Sequence, residues 1–333
     1  MMNYEMFREI VKERIRDFLP EEMKGMEVNF HRVHKVNEIR DAISFVDPNK
    51  RICVSPTLYI NDIYAHYQKN EDMRYSIGYS VNEMLKAMDY GKRFEGVLGM
   101  ENAKENIVFQ LINTEQNQQL LNDIPHREFQ DLSLVYRWVV ERDSDGIASS
   151  IVTDHMAEMM GFNEEQLYKL AVDNTKRLFP PSIKTMREVI CEILEQDGVP
   201  KEMADIMLGE APEEDMMYVI TNEQKTNGAV SMLYEDGLHE LAARVDDDLY
   251  ILPSSVHEVI AVRAKDMVPN ELAEMVSEIN MAQVSLNDRL SNQVYHYDRD
   301  LRKLTLATDT PNKRLDGIVA EPKLIYEVKE QSR

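Results

Sequence analysis

"DLSLVYRWVVE", residues 131–141, decides how the rest of the chain is read. Leu132, Leu134, Tyr136, Trp138 and Val140 recur at every second position, the period of a strand. "RDSDG" follows with turn chemistry, and "IASSIVT" (147–153) is apolar and branched enough to pair back. Strands joined by a short turn run antiparallel and need no crossover helix.

The same pattern extends outward. "AISFV" (42–46), the turn "DPNK" and "RICVS" (51–55) read as a hairpin, because Pro48 presets a turn dihedral. "QVYHY", "DRDLR" and "KLTLAT" (293–308) read as another. "MEVNFHRVHKV" (26–36), "NIVFQLI" (106–112) and "MMYVITN" (216–222) are further strands. Helices fall between them. Phe7, Val11, Ile15 and Phe18 share one face before Pro20. "PTLYINDIYAHYQK" (56–69) and "YSIGYSVNEMLKAMDYG" (75–91) are read as helical, the latter with a stripe of Val81, Met84, Leu85 and Met88. Asn163 and Gln166 form a capping pair that opens "EEQLYKLAVDNTKRLF". "SIKTMREVICEILEQDG" (182–198), "EDGLHELAARV" (235–245) and "NELAEMVSEINMAQV" (270–284) complete the set, with Leu272, Met275, Ile279 and Ala282 the expected buried face of the last. Antiparallel strands with interspersed helices make the expected fold α+β, in two closely packed domains, 1–95 and 96–310, with a polar tail from 311 to 333.

Composition narrows the function. The 333 residues are 43% hydrophobic and 29% charged, an ordinary globular balance. Sixty acidic against 38 basic residues give a net charge of −22, which repels nucleic acid and anionic membranes. Cys53 and Cys191 are too few and too distant for a disulfide framework or a thiolate zinc site. No apolar run approaches the roughly 20 residues of a bilayer span, and no signal-peptide stretch opens the chain. The expectation is a cytoplasmic protein. Most of the 21 methionines sit at helical core spacing, as in "EMADIML" and "EMVSEINM", which points to core filling rather than an adaptable binding surface.

Chemistry is sparse. In "YILPSSVHEVIAV" (250–262), read as a strand after Ser255, Ser255 and His257 share one face while Glu258 points to the other, so Glu258 cannot orient the histidine. No Gly-x-Ser-x-Gly turn occurs, and Pro253-Ser254-Ser255 is read as a turn. In "TNEQKTNGAVSMLY" (221–234), Asn222 and Asn227 bracket a polar loop, and Asn227-Gly228 is again a turn signal. His31 and His34 fall on opposite strand faces, Asp154 and Glu158 are a solvated like-charged pair, and His66, His126, His239 and His296 stand alone. No metal or cofactor is expected.

"MMYVITNEQKTNGAVSMLYEDGLHELAARVDDDLYILPSSVHEVIAV" and "INMAQVSLNDRLSNQVYHYDRD", together about 216–300, resemble an uncharacterised bacterial family, a domain of unknown function. The likeness extends more weakly to "VSPTLYINDIYAHYQKN". The order of elements in 1–90 and 130–265 is similar to a second uncharacterised bacterial α+β family. The resemblance implies one evolutionary unit in a bacterial cytoplasm and transfers no catalytic residue. The expected function is a non-enzymatic module that binds a protein partner. One alternative is a small-molecule binder or hydrolase with a pocket of Asn222, Asn227, Ser255 and His257; another is an acidic decoy that mimics nucleic acid.

Overall fold

The computed structural model describes residues 2–47, 56–91, 102–143, 146–209, 217–265 and 267–309. The chain divides into two compact units, residues 1–104 with 140–148 and residues 105–139 with 149–333. The boundary expected at 95/96 and the tail from 311 lie outside the described residues.

In the first unit α1 (Tyr4–Arg14) starts at Asn3, whose side chain accepts from the Met6 N–H at 2.9 Å. β1 (Glu27–Lys35) and β2 (Glu38–Val46) reverse at Asn37, a left-handed residue with φ 61°. β3 (Thr57–Tyr59) pairs with the other edge of β2 before α2 (Ile60–Asn70) and α3 (Met73–Gly91). "AISFV" therefore lies in a central strand with β1 on one side and β3 on the other, while "RICVS" lies outside the described residues. "TLY", expected to be helical, is strand because it completes this sheet. Phe7, Val11, Ile43, Phe45, Ile63, Ile77 and Val81 bury together in the core, with Leu85 and Met88 packed against it.

The second unit begins with α4 (Ala103–Asn106), which spans the division and leads into β4 (Ile107–Asn113). α5 (Gln118–Leu121), β5 (His126–Phe129), β6 (Leu132–Asp143) and β7 (Gly146–Ile151) follow, residues 140–148 of the last two counting with the first unit, and β4, β5 and β7 all pair with β6. β6 is buried on both faces, Ser133 and Val135 as fully as Leu132 and Tyr136. Its alternation marked the strand correctly but not a solvent face. α6 (Asp154–Met160) precedes α7 (Glu164–Leu178), whose capping box is made as expected: Asn163 and Gln166 exchange bonds of 2.9 and 3.0 Å.

The sequence reading fails at 182–185. "SIKT" is strand, part of β8 (Pro181–Thr185), and α8 (Met186–Gln196) starts only after Thr185 and Glu188 close a second capping box. β8 is an edge strand, which tolerates the missing N–H of Pro181. α9 (Lys201–Leu208) and β9 (Tyr218–Asn222) follow, then α10 (Glu235–Val245), β10 (Leu249–Leu252), β11 (Val259–Arg263), α11 (Pro269–Ala282), β12 (Tyr295–Asp298) and β13 (Lys303–Leu306). The order β13-β12-β10-β11-β9-β8 is antiparallel throughout. The fold is α+β.

α11 is rotated from its expected setting. It buries Leu272, Ala273, Val276 and Asn280 against Leu252, Val262 and Val294, and leaves Met275 and Ile279 47% and 43% exposed and Ala282 exposed. Small Ala273 lets the helix approach the sheet, and the Asn280 amide donates to Ser291 O at 2.9 Å and Asn292 Oδ1 at 2.7 Å. The methionine expectation fails in both quoted stretches, where Met203 and Met207 of "EMADIML" and Met275 and Met281 of "EMVSEINM" are exposed, while Met23, Met84 and Met232 do fill the core.

Candidate functional site

The four pocket residues expected from sequence come from two loops that the sheet brings side by side. β9 pairs with β11, so the loop after Asn222 meets the loop before Val259. Asn222 folds its own loop: its amide donates to Thr226 O at 2.8 Å and accepts from Thr226 N at 3.2 Å. Lys225 and Asn227 take left-handed backbone with φ 53° and 50°, which delivers Gly228 against the second loop. A Cβ on Gly228 would stand 2.6 Å from His257 O and 2.7 Å from Asn222 N, and would strike the Thr221 hydroxyl. Only glycine fits there. The Thr221 hydroxyl donates to His257 O at 2.7 Å, and Ala229 N–H to Val256 O at 3.1 Å.

These bonds settle what His257 does locally. Its Nδ1 lies 3.2 Å from the Asn227 N–H and so must accept. The neutral ring then carries its proton on Nε2, which donates to Asp288 Oδ1 at 3.3 Å. Both nitrogens are occupied. The Ser255 hydroxyl meets the backbone instead, accepting from His257 N–H at 3.0 Å, and Ser255 is only 5% exposed. A nucleophilic serine needs a ring nitrogen free to take its proton, which this arrangement does not offer. His257 ties the Asn227 loop to the segment at Asp288, whose carbonyl accepts from Val256 N–H at 2.8 Å.

Open space lies on the other side of Asn222. A cleft of about 590 Å³ runs across β8, β9 and β11 and beside α8. Lys184, Glu192, Glu223, Lys225 and Glu258 line it together with Asn222. Lys184 is bonded to Glu192, Lys225 stands 3.6 Å from the same carboxylate, and the bond from Lys184 holds Glu192 below the ordinary carboxylate range. Met186, Val189 and Ile260 supply apolar walls. The sequence reading missed Lys184 and Glu192 because it put residues 182–185 in a helix; the Thr185-x-x-Glu188 capping signal marked the true helix start.

A second feature is the outer face of α11. Met275 and Ile279 are exposed one turn apart on α11, Val268 is exposed just before its first residue, and Glu271, Glu274 and Glu278 are exposed on the same helix. Two of the histidines that stand apart from any ligand cluster have other partners. His296 Nε2 lies 2.9 Å from Asp248, and His66 stacks on Tyr79 with centroids 4.5 Å apart. Among the described residues no three His, Cys, Asp or Glu side chains are grouped as metal ligands, and no helix is long and apolar enough to cross a membrane.

A family model described as a family of unknown function matches residues 4–299, which span both units. The chain belongs to this family, DUF5688. The match covers the region of the resemblance up to residue 299 and reaches back to α1, so the two loops, the cleft and α11 all belong to the family's domain. No curated protein and no solved structure matches the chain.

Proposed function

We propose that the protein is a binding module that docks a protein partner on the outer face of α11. The observation that carries this is the exposed stripe of Met275, Ile279 and Ala282, where the sequence pattern of a buried face meets solvent, with Val268 exposed beside its start. Unbranched methionine adapts to an apolar partner surface, and half-exposed apolar side chains gain by burial. Glu271, Glu274 and Glu278 beside the stripe, and the net charge of −22, favour a partner whose apolar patch is rimmed by Lys or Arg. This reading gives Ser255 and His257 no catalytic part. It sets the protein in the bacterial cytoplasm, supported by the resemblance and by a cysteine content that builds no disulfide framework.

Tagged protein recovered from native cells at moderate salt, beside a Met275→Glu/Ile279→Glu variant, tests the reading. A stoichiometric protein held by the wild type and lost from an equally stable variant supports it. Equal recovery by both, or nothing held by either, overturns it. A partner released by salt alone would instead support an acidic decoy for a basic nucleic-acid-binding protein.

The cleft beside Asn222 favours a second reading, a small-molecule binder. Its volume is in the range of ligand sites, with a few charged groups converging on apolar walls. A thermal-shift screen of metabolites, with Lys184→Ala and Lys225→Ala as controls, checks it.

A further inference from the structure

In the first unit, cations from two elements face a single carboxylate. Arg8 and Lys12 lie one turn apart on α1, and Arg32 of β1 stands directly across the ladder from Asp41 of β2. Arg8 and Arg32 each lie 3.7 Å from an Asp41 oxygen, too far for a hydrogen bond. Asp41 is better satisfied elsewhere: its Oδ2 accepts from the Tyr4 hydroxyl at 2.8 Å. Both guanidinium groups thus keep donors to offer on this side. Between them lies a cavity of about 260 Å³, lined also by His31 and walled by Phe30, Ala42 and Ile60.

The charge of this cavity is opposite to that of the chain. Three cations and one carboxylate line it, and with Glu9 just outside counted as well one positive charge remains, in a protein of net charge −22. Glu9 bonds Arg8 at 3.2 Å and Lys12 at 3.0 Å, but it does not line the cavity and its side chain is 59% exposed. A concave site of one sign concentrates counter-ions, and arginine forks match the oxygens of a phosphoryl group.

We propose that this cavity binds a small phosphate monoester as its dianion. Arg8 and Arg32 take the phosphoryl oxygens, Lys12 adds a third cation, and the ester substituent lies on Phe30. A phosphoryl group presents several oxygens that both guanidinium forks can share at once, whereas a monocarboxylate fills a single fork. The volume admits a phosphate with a small substituent. A polyanion such as nucleic acid would extend its remaining charges over an acidic surface, and is disfavoured. The site lies on different elements from α11, so its failure would leave the partner reading untouched.

The test is a backbone-amide NMR titration of the full chain at low ionic strength, first with inorganic phosphate, then phenyl phosphate, then acetate. Saturable shifts confined to residues 8–12, 30–32 and 41–42 are expected, with phenyl phosphate binding more tightly than phosphate. Arg32→Gln should weaken both by about tenfold, the loss of one charge-assisted contact. Arg32 is 69% exposed, so the variant should keep its fold and its spectrum elsewhere. Shifts that never saturate, that persist undiminished in Arg32→Gln, or that acetate reproduces at equal concentration would overturn the assignment.

Discussion

Gly228 holds the candidate loops together by having no side chain. Its φ is not positive, so the constraint is close approach rather than backbone conformation. Gly228→Ala should therefore cost about 1–3 kcal/mol, the usual range for overpacking. Urea denaturation would read this as a lower midpoint at unchanged slope, and an unchanged midpoint would mean the loops are not pressed together. Asn227-Gly228 was legible as a turn, whereas Ser255 and His257, expected on one face of a strand, lie in the loop before β11. Their partners were not. His257 bonds Asp288, 31 residues away, and the backbone of Asn227, and no local spacing encodes either contact.

At the scale of elements, α11 shows how a correct helix can be set on the wrong face. Leu272, Met275, Ile279 and Ala282 are as good a helical stripe as Leu272, Ala273, Val276 and Asn280, and larger. Packing preferred the second because Ala273 allows close approach and Asn280 finds two partners. Leu272→Ala should cost about 2–4 kcal/mol, as cavity formation does. Met275→Ala and Ile279→Ala should each stay within about 0.5 kcal/mol, as surface changes do. Equal losses on both faces in chemical denaturation would reverse the assignment. β8 teaches the complementary lesson. Periodicity alone ran the α8 helix back to Ser182, whereas the capping pair Thr185 and Glu188 placed its start correctly.

At the scale of the whole molecule, Asp131 joins the β6 sheet to the β12 sheet within the second unit, accepting from Ser291 at 2.6 Å and from the Tyr295 hydroxyl. Burial raises its pKa above the ordinary carboxylate value, and these two bonds only partly offset the rise. A raised folded pKa means the folded chain holds the proton more tightly. That contribution is complete below the unfolded pKa of about 3.9 and is lost as pH rises through the folded value. Wild type should therefore gain stability relative to Asp131→Asn as pH falls from about 7 to about 4, measured by paired urea titrations. A difference that does not change with pH would contradict the shift. Local physics is what the sequence determined: antiparallel strands from two-residue periodicity and short turns, helix starts from capping side chains, and an acidic surface from composition. Each depends on neighbours within a few residues. The tertiary structure alone decided which face of α11 is buried, that β6 has no solvent face, and that His257 spends both nitrogens on structure. These depend on which distant segments fit together in close packing, and chain spacing carries no record of that.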